Sequence, residues 1–116
     1  IWPLLDMGLL KPPLQFSFIV GVLGGIPGEV ESLQLQTKIM PAGSEWECIA
    51  ISHGHWRMLS AAAVMGGNVR TGLEDHLYLP KGGAMASSNG ELVEGIGRRP
   101  ATVAEARQIL SLQPAR

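Results

Sequence analysis

"LQFSFIVGVLGGIPGEVESLQLQTKIM", residues 14–40, carries two periodicities in succession, and the change from one to the other decides the fold. Leu14, Phe16, Phe18 and Val20 alternate with Gln15, Ser17 and Ile19, the period of two of a strand whose two faces meet different surroundings. The glycine-rich "GVLGGIPG" then turns the chain. From residue 28 to residue 40, Val30, Leu33, Leu35 and Ile39 recur at roughly helical spacing. The acidic start of this segment and its late Lys38 match the two ends of a helix dipole. A strand that runs through a tight turn into a helix is the first half of a crossover unit.

The same order repeats outward from this stretch. "PAGSE" (41–45) is a loop. "WECIAIS" (46–52) predicts a second strand with Ile49 and Ile51 on one face and Cys48, Ala50 and Ser52 on the other. "HWRMLSAAAVMGG" (55–67) predicts a helix stopped by Gly66 and Gly67. "NVRTGLE" (68–74) predicts a third strand, followed by a loop through "YLPKGGAMAS" and a helix from Asn89 to Arg99. In a last helix Thr102 and Glu105 form a capping box ahead of Ala106, Ile109 and Leu110. Upstream, "IWPLLDMGLL" reads as the last turns of a helix, closed by Lys11 and Pro12-Pro13.

Strands alternating with helices predict an α/β fold with a parallel sheet. Strand starts near residues 14, 46 and 68 approach the roughly 30 residues per unit of an eightfold barrel. Three strands alone leave two raw edges and a core with no second wall. The expectation is therefore a single partial domain over residues 1–116, a piece of something larger or one unit of an assembly. The start at Ile1 without Met fits a fragment whose front is missing.

Composition narrows the partners. With 46% apolar residues, 16% charged residues and a net charge of -1, the chain has no electrostatic footprint for nucleic acid or an anionic membrane surface. "FSFIVGVLGGI" is too short and too rich in glycine to span a bilayer. A small-molecule partner remains. The single cysteine, Cys48, excludes an internal disulfide and lies in the apolar run "ECIAI", where a buried structural role is expected. Trp46 and Trp56 flank the second strand as packing residues. "GVLGGIPG" is not a G-x-G-x-x-G fingerprint and is expected to serve as a tight turn. Lys81 is expected to be a solvated loop charge.

The end of the third strand, "NVRTGLEDH" (68–76), is dense in charge. Strand alternation would set Arg70, Gly72 and Glu74 on one side and Val69, Thr71 and Leu73 on the other, with room at Gly72 for a ligand. Inward charges are costly unless paired or bound. Two readings stand side by side: an internal Arg70–Glu74 salt bridge, and a ligand site at the carboxyl end of a parallel strand. "SHGHW" adds His53 and His55, which with Glu74 would make a three-ligand set suited to catalytic zinc. Against that stands a loop histidine pair that is solvated or touches substrate. His76 is expected to support the site by hydrogen bonding or to lie on the surface.

"GLLKPPLQFSFIVGVLGGIP", "PAGSEW", "GGNVRTGLEDHLYLPKG", "SNGELVE" and "ATVAEARQILSL" resemble, in order, consecutive blocks from the C-terminal part of the β-keto acid cleavage enzymes. That family includes 3-keto-5-aminohexanoate cleavage enzyme. The resemblance implies the C-terminal portion of a (β/α)8 TIM barrel, about three βα units plus a terminal helix. It implies a zinc-dependent acyltransferase that condenses a β-keto acid with acetyl-CoA, giving acetoacetate and an acyl-CoA.

By the same motif Glu74 resembles the family's carboxylate zinc ligand, Arg70 its catalytic arginine and Asp75 the acidic residue beside that ligand. A zinc with an open position polarises a keto group, a guanidinium holds a carboxylate or oxyanion, and an adjacent Asp moves a proton. The remaining Zn2+ ligands, a His-x-His pair on an early strand, are expected upstream of Ile1, so the isolated chain is expected to be inactive. The family carries an arginine-containing stretch where this chain has its histidine pair, and often Asn where it has His76. A cytoplasmic homo-oligomer is the expected setting. The alternative is a non-catalytic half-barrel or assembly unit with a structural Arg70–Glu74 ion pair.

Overall fold

The alternation in residues 14–20 produces a strand, β1 (Gln15–Val20), with Phe18 and Val20 buried and Gln15, Ser17 and Ile19 exposed. It follows a short helix, α1 (Trp2–Asp6), which carries Pro3 in its first turn. These elements belong to a computed structural model that describes residues 1–79 and 83–112. Lys81 lies outside the described residues. After β1 come α2 (Val30–Ile39), β2 (Glu45–Ala50), a 3-10 turn (Ser52–Gly54) and α3 (His55–Val64). The chain continues through β3 (Asn68–Arg70), α4 (Asn89–Glu94) and α5 (Val103–Ile109).

The three strands form one sheet in the order β1-β2-β3, and both pairings are parallel. In register, Phe18, Cys48 and Val69 form one row across the sheet, and Ile19, Ile49 and Arg70 form the next. The first row belongs to the face covered by helices. There Phe18, Val20, Leu33, Trp46, Cys48, Ala50, Met58, Leu59 and Ala62 make one buried cluster, with Phe16 and Val69 packed against it. Removal of these side chains from water is what holds α2 and α3 on the sheet. Trp46 acts as the packing residue expected of it. Its ring lies 5.8 Å from that of Phe18, and a Cβ on Gly67 would fall 2.5 Å from its Cη2.

Cys48 is fully buried as expected, and burial pushes its thiol up to about 11. The opposite face of the sheet carries the polar set. Ser17 donates a hydrogen bond to Glu47 across β1 and β2 at 2.7 Å. Among the described residues, no helix is long and apolar enough to cross a membrane.

Two expected elements are shorter than their patterns. The third strand stops at Arg70 instead of continuing to Glu74, because the backbone turns at Gly72. The helix that begins at Asn89 ends at Glu94 and not at Arg99. "EGIG" places two glycines after it, and Gly97 adopts φ +76, which a right-handed helix does not accommodate. Arg98, freed from that helix, donates to the carbonyl of Ala63 at 3.1 Å at the end of α3. The capping box of α5 is present as expected: Thr102 accepts from the Glu105 amide and the Glu105 side chain accepts from the Thr102 amide.

Candidate functional site

The carboxyl ends of β1, β2 and β3 lie along one edge of the fold because all three strands run parallel. At that edge β3 leaves the sheet after Arg70. The amides of Asp75 and His76 donate to the carbonyl of Gly72 at 3.0 and 3.1 Å, closing a turn of one helical pitch. The turn, and not strand alternation, brings Arg70 and Glu74 together. Nη2 of Arg70 donates to Oε1 of Glu74 at 2.6 Å.

This corrects two expectations. Arg70 and Glu74 bond each other directly instead of standing on either side of a space at Gly72, and the ion pair is not internal: 49% of the Arg70 side chain and 72% of the Glu74 side chain remain exposed.

Asp75 is half-buried and differs from its neighbour. Its Oδ2 is shielded from solvent and has no hydrogen-bond partner among the described residues. A buried carboxylate oxygen without a donor is costly, so a hydrogen-bond donor from a bound molecule would be favoured at this atom. Arg70, Thr71, Gly72, Leu73, Glu74 and Asp75 together line an open recess of about 460 Å³.

His55 is the residue the sequence misplaces most. It is fully buried and opens α3, so it is neither in a loop nor solvated. Its Nδ1 lies 2.6 Å from the Ala50 carbonyl, which can only accept, so Nδ1 carries the proton. Nε2 then accepts from the Thr71 hydroxyl at 3.0 Å. Burial pushes the His55 pKa below its ordinary 6.5, partly opposed by the Ala50 carbonyl. His76 pushes in the same direction as burial, and Asp75 opposes it.

His76 stacks on the His55 ring at 4.4 Å with 13° between planes, so it joins the site by ring packing. Trp56 meets both rings edge-on and donates from Nε1 to the Tyr78 carbonyl at 3.1 Å. As expected, Trp56 packs.

His53 is exposed on the 3-10 turn. The set of His53, His55 and Glu74 does not assemble: among the described residues there is no group of three or more His, Cys, Asp and Glu that could hold a metal ion. His55 has both nitrogens engaged inside the protein, and one oxygen of Glu74 is engaged by Arg70. At this edge, therefore, Glu74 offers zinc an exposed carboxylate that is not part of a ligand set among the described residues.

"GVLGGIPG" is a turn, as expected. Gly21 adopts φ +83, and Arg57 donates to the Gly28 carbonyl at 2.6 Å, which ties this turn to α3. Neither the Arg57 bond nor the Thr71–His55 bond has a local sequence signal, because each joins residues of different elements.

The arrangement presents a half-exposed guanidinium paired with Glu74 and, beside it in sequence, a shielded carboxylate oxygen of Asp75 that can accept a hydrogen bond. Over residues 1–112 the sequence matches the family described as beta-keto acid cleavage enzyme. The 3-keto-5-aminohexanoate cleavage enzyme of Fusobacterium nucleatum is 40% identical over 113 residues, covering 91% of this chain and 40% of that protein. The enzyme of the same name from Acetoanaerobium sticklandii is 38% identical over 112 residues, 90% of this chain and 41% of that protein. The 3,5-dioxohexanoate:acetyl-CoA acetone transferase of Paraburkholderia graminis is 31% identical over 120 residues, 95% of this chain and 39% of that protein. The chain spans about 40% of the length of the curated relatives it matches.

Proposed function

Because this chain belongs to the β-keto acid cleavage enzyme family, we propose that it carries part of the active site of an acyltransferase acting on a β-keto acid and acetyl-CoA. The overall exchange breaks the bond between the β-carbonyl carbon and C2 of the keto acid. C2 is joined to the acetyl carbon to give acetoacetate, and the coenzyme A sulfur ends on the acyl group left behind. The three βα units are proposed as the C-terminal portion of a (β/α)8 barrel, with Ile19, Ile49 and Arg70 facing its interior.

The observation that carries this reading is the cluster at the end of β3. The Arg70 guanidinium is bonded to the Glu74 carboxylate, and the next residue, Asp75, has a buried oxygen with no partner among the described residues. Arg70 would hold the substrate carboxylate or the oxyanion that develops from its keto group. Asp75 would move the proton at C2. Glu74 would contribute one ligand to a zinc ion whose other ligands come from the part of the relatives that this chain does not cover. When bound, such an ion polarises the keto group. We place the enzyme in the cytoplasm as a homo-oligomer. The isolated 116-residue chain is proposed to lack activity.

The test is formation of new acyl-CoA from acetyl-CoA and a panel of β-keto acids by the intact protein. The panel includes amino-substituted, dioxo and dicarboxylic substrates, the classes in the names of its relatives. No product from any of them overturns the proposal. The 2.6 Å bond between Arg70 and Glu74 favours a second reading, a purely structural ion pair in a non-catalytic half-barrel. Under that reading Glu74→Ala leaves both zinc content and turnover of the intact protein unchanged.

A further inference from the structure

We propose that His55 is a positioning residue for the Arg70, Glu74 and Asp75 site, holding both ends of the turn that presents them. This rests on the functional reading above and adds to it a residue from a different element. The turn runs from Thr71 to His76 and contains Gly72, so its backbone is free to adopt many conformations unless something outside it restrains it. One buried ring supplies restraints at both ends. At the start, Nε2 of His55 accepts from the Thr71 hydroxyl at 3.0 Å, and at the finish the His55 ring face stacks on His76 at 4.4 Å.

The ring itself is fixed from the opposite side. Its Nδ1 donates to the Ala50 carbonyl at 2.6 Å, at the last residue of β2, and this bond selects the tautomer that can accept from Thr71. The chain of contacts therefore runs from β2 through His55 to the turn, and Arg70 and Asp75 inherit their placement from the sheet. An apolar residue of the same size would fill the space but satisfy neither Ala50 nor Thr71. A fully buried histidine whose two nitrogens are both matched transmits geometry as well as filling volume.

The test uses Thr71→Val, which keeps the shape and removes the hydroxyl, Thr71→Ser, which keeps the hydroxyl, and His55→Phe, which keeps a ring. Amide hydrogen exchange on the protein reads the restraint directly. The amides of Asp75 and His76 should exchange about fivefold faster in Thr71→Val, the equivalent of one lost hydrogen bond. They should exchange faster still in His55→Phe and at the wild-type rate in Thr71→Ser, while amides of β2 stay unchanged in all three. In the intact enzyme kcat should fall about ten- to a hundredfold in Thr71→Val with KM little changed, and recover in Thr71→Ser.

Three results overturn the proposal. These are unchanged exchange at Asp75 and His76 in Thr71→Val, equal damage in Thr71→Ser and Thr71→Val, and faster exchange spread evenly over β2 and α3. If the wild-type enzyme shows no turnover, the functional reading fails, and the exchange pattern alone decides whether His55 holds the turn.

Discussion

Gly21 and Ile51 touch backbone to backbone: a Cβ placed on Gly21 would lie 2.6 Å from the carbonyl oxygen of Ile51. The contact joins the turn after β1 to the end of β2, next to the edge that carries the charged cluster. Gly21 also adopts φ +83, so a side chain there meets both a clash with rigid backbone and a disfavoured conformation. Gly21→Ala should destabilise the fold by about 2–3 kcal/mol. Urea unfolding reads this, and a midpoint equal to wild type would contradict the contact.

The exposed Arg70–Glu74 pair should contribute little to folding, within about 1 kcal/mol as for other solvent-exposed ion pairs. Arg70→Ala and Glu74→Ala should therefore leave the melting temperature almost in place. If the proposed function is correct, each should still reduce acyl-CoA formation by the intact protein by a factor of about a hundred or more, as for removal of one electrostatic group. A large loss of stability with full turnover would favour the structural ion pair.

Cys48 has its thiol pushed up to about 11, first by burial and then by the nearby Glu47 charge. Because the thiolate is the reacting form, the folded protein should resist alkylation at pH 8. One equivalent of iodoacetamide should react once urea exposes the strand. Rapid labelling of the native protein would show that β2 opens far more often than its burial implies.

Glu105 is held at about 2 by the Arg99 side chain and by the Thr102 amide and hydroxyl, against an ordinary 4.5. Its folded value is depressed, so its contribution is complete above 4.5 and disappears as pH falls toward 2. Carbon-detected NMR titration of the Glu105 carboxyl should show this. In Arg99→Ala the midpoint should move back up, and an unmoved midpoint would assign the shift to the capping box alone.

His55 behaves in the opposite chemical sense with the same pH direction. Its folded pKa lies below 6.5, so the unfolded chain binds the proton first as the solution is acidified. Stability should be full above 6.5 and fall as pH drops from there toward the depressed value. In His55→Phe that segment of the stability profile should flatten. The groups facing the ring are His76, Asp75, the Thr71 hydroxyl and the Ala50 carbonyl, and a slope that persists unchanged without His55 would show that His55 is not its source.

Much of the fold is legible because its signals are local. The alternation of Phe16, Phe18 and Val20, the capping box of Thr102 and Glu105 and the glycines after α3 each act within a few residues, and each element formed near its expected place. The family itself was legible in the same way, from contiguous blocks. The end of β3 was not, because strand alternation assumes that pairing continues, whereas Gly72 accepts the bonds that close a turn. His55 was the largest miss. Its environment is set by Ala50, Thr71 and His76, residues whose approach depends on how β2 and β3 lie side by side. No pattern around "SHGHW" encodes that.

The register of the sheet also bears on how the chain assembles in time. β1 pairs with β2 over a separation of 30 residues, and β2 pairs with β3 over 21. Each of these two pairings therefore joins strands that are consecutive in the chain. As the polypeptide leaves the ribosome, each strand can dock on the one made just before it, with its crossover helix already available to cover it. Synthesis from the N-terminus thus delivers the charged turn after β1 and β2, onto strands already able to receive it.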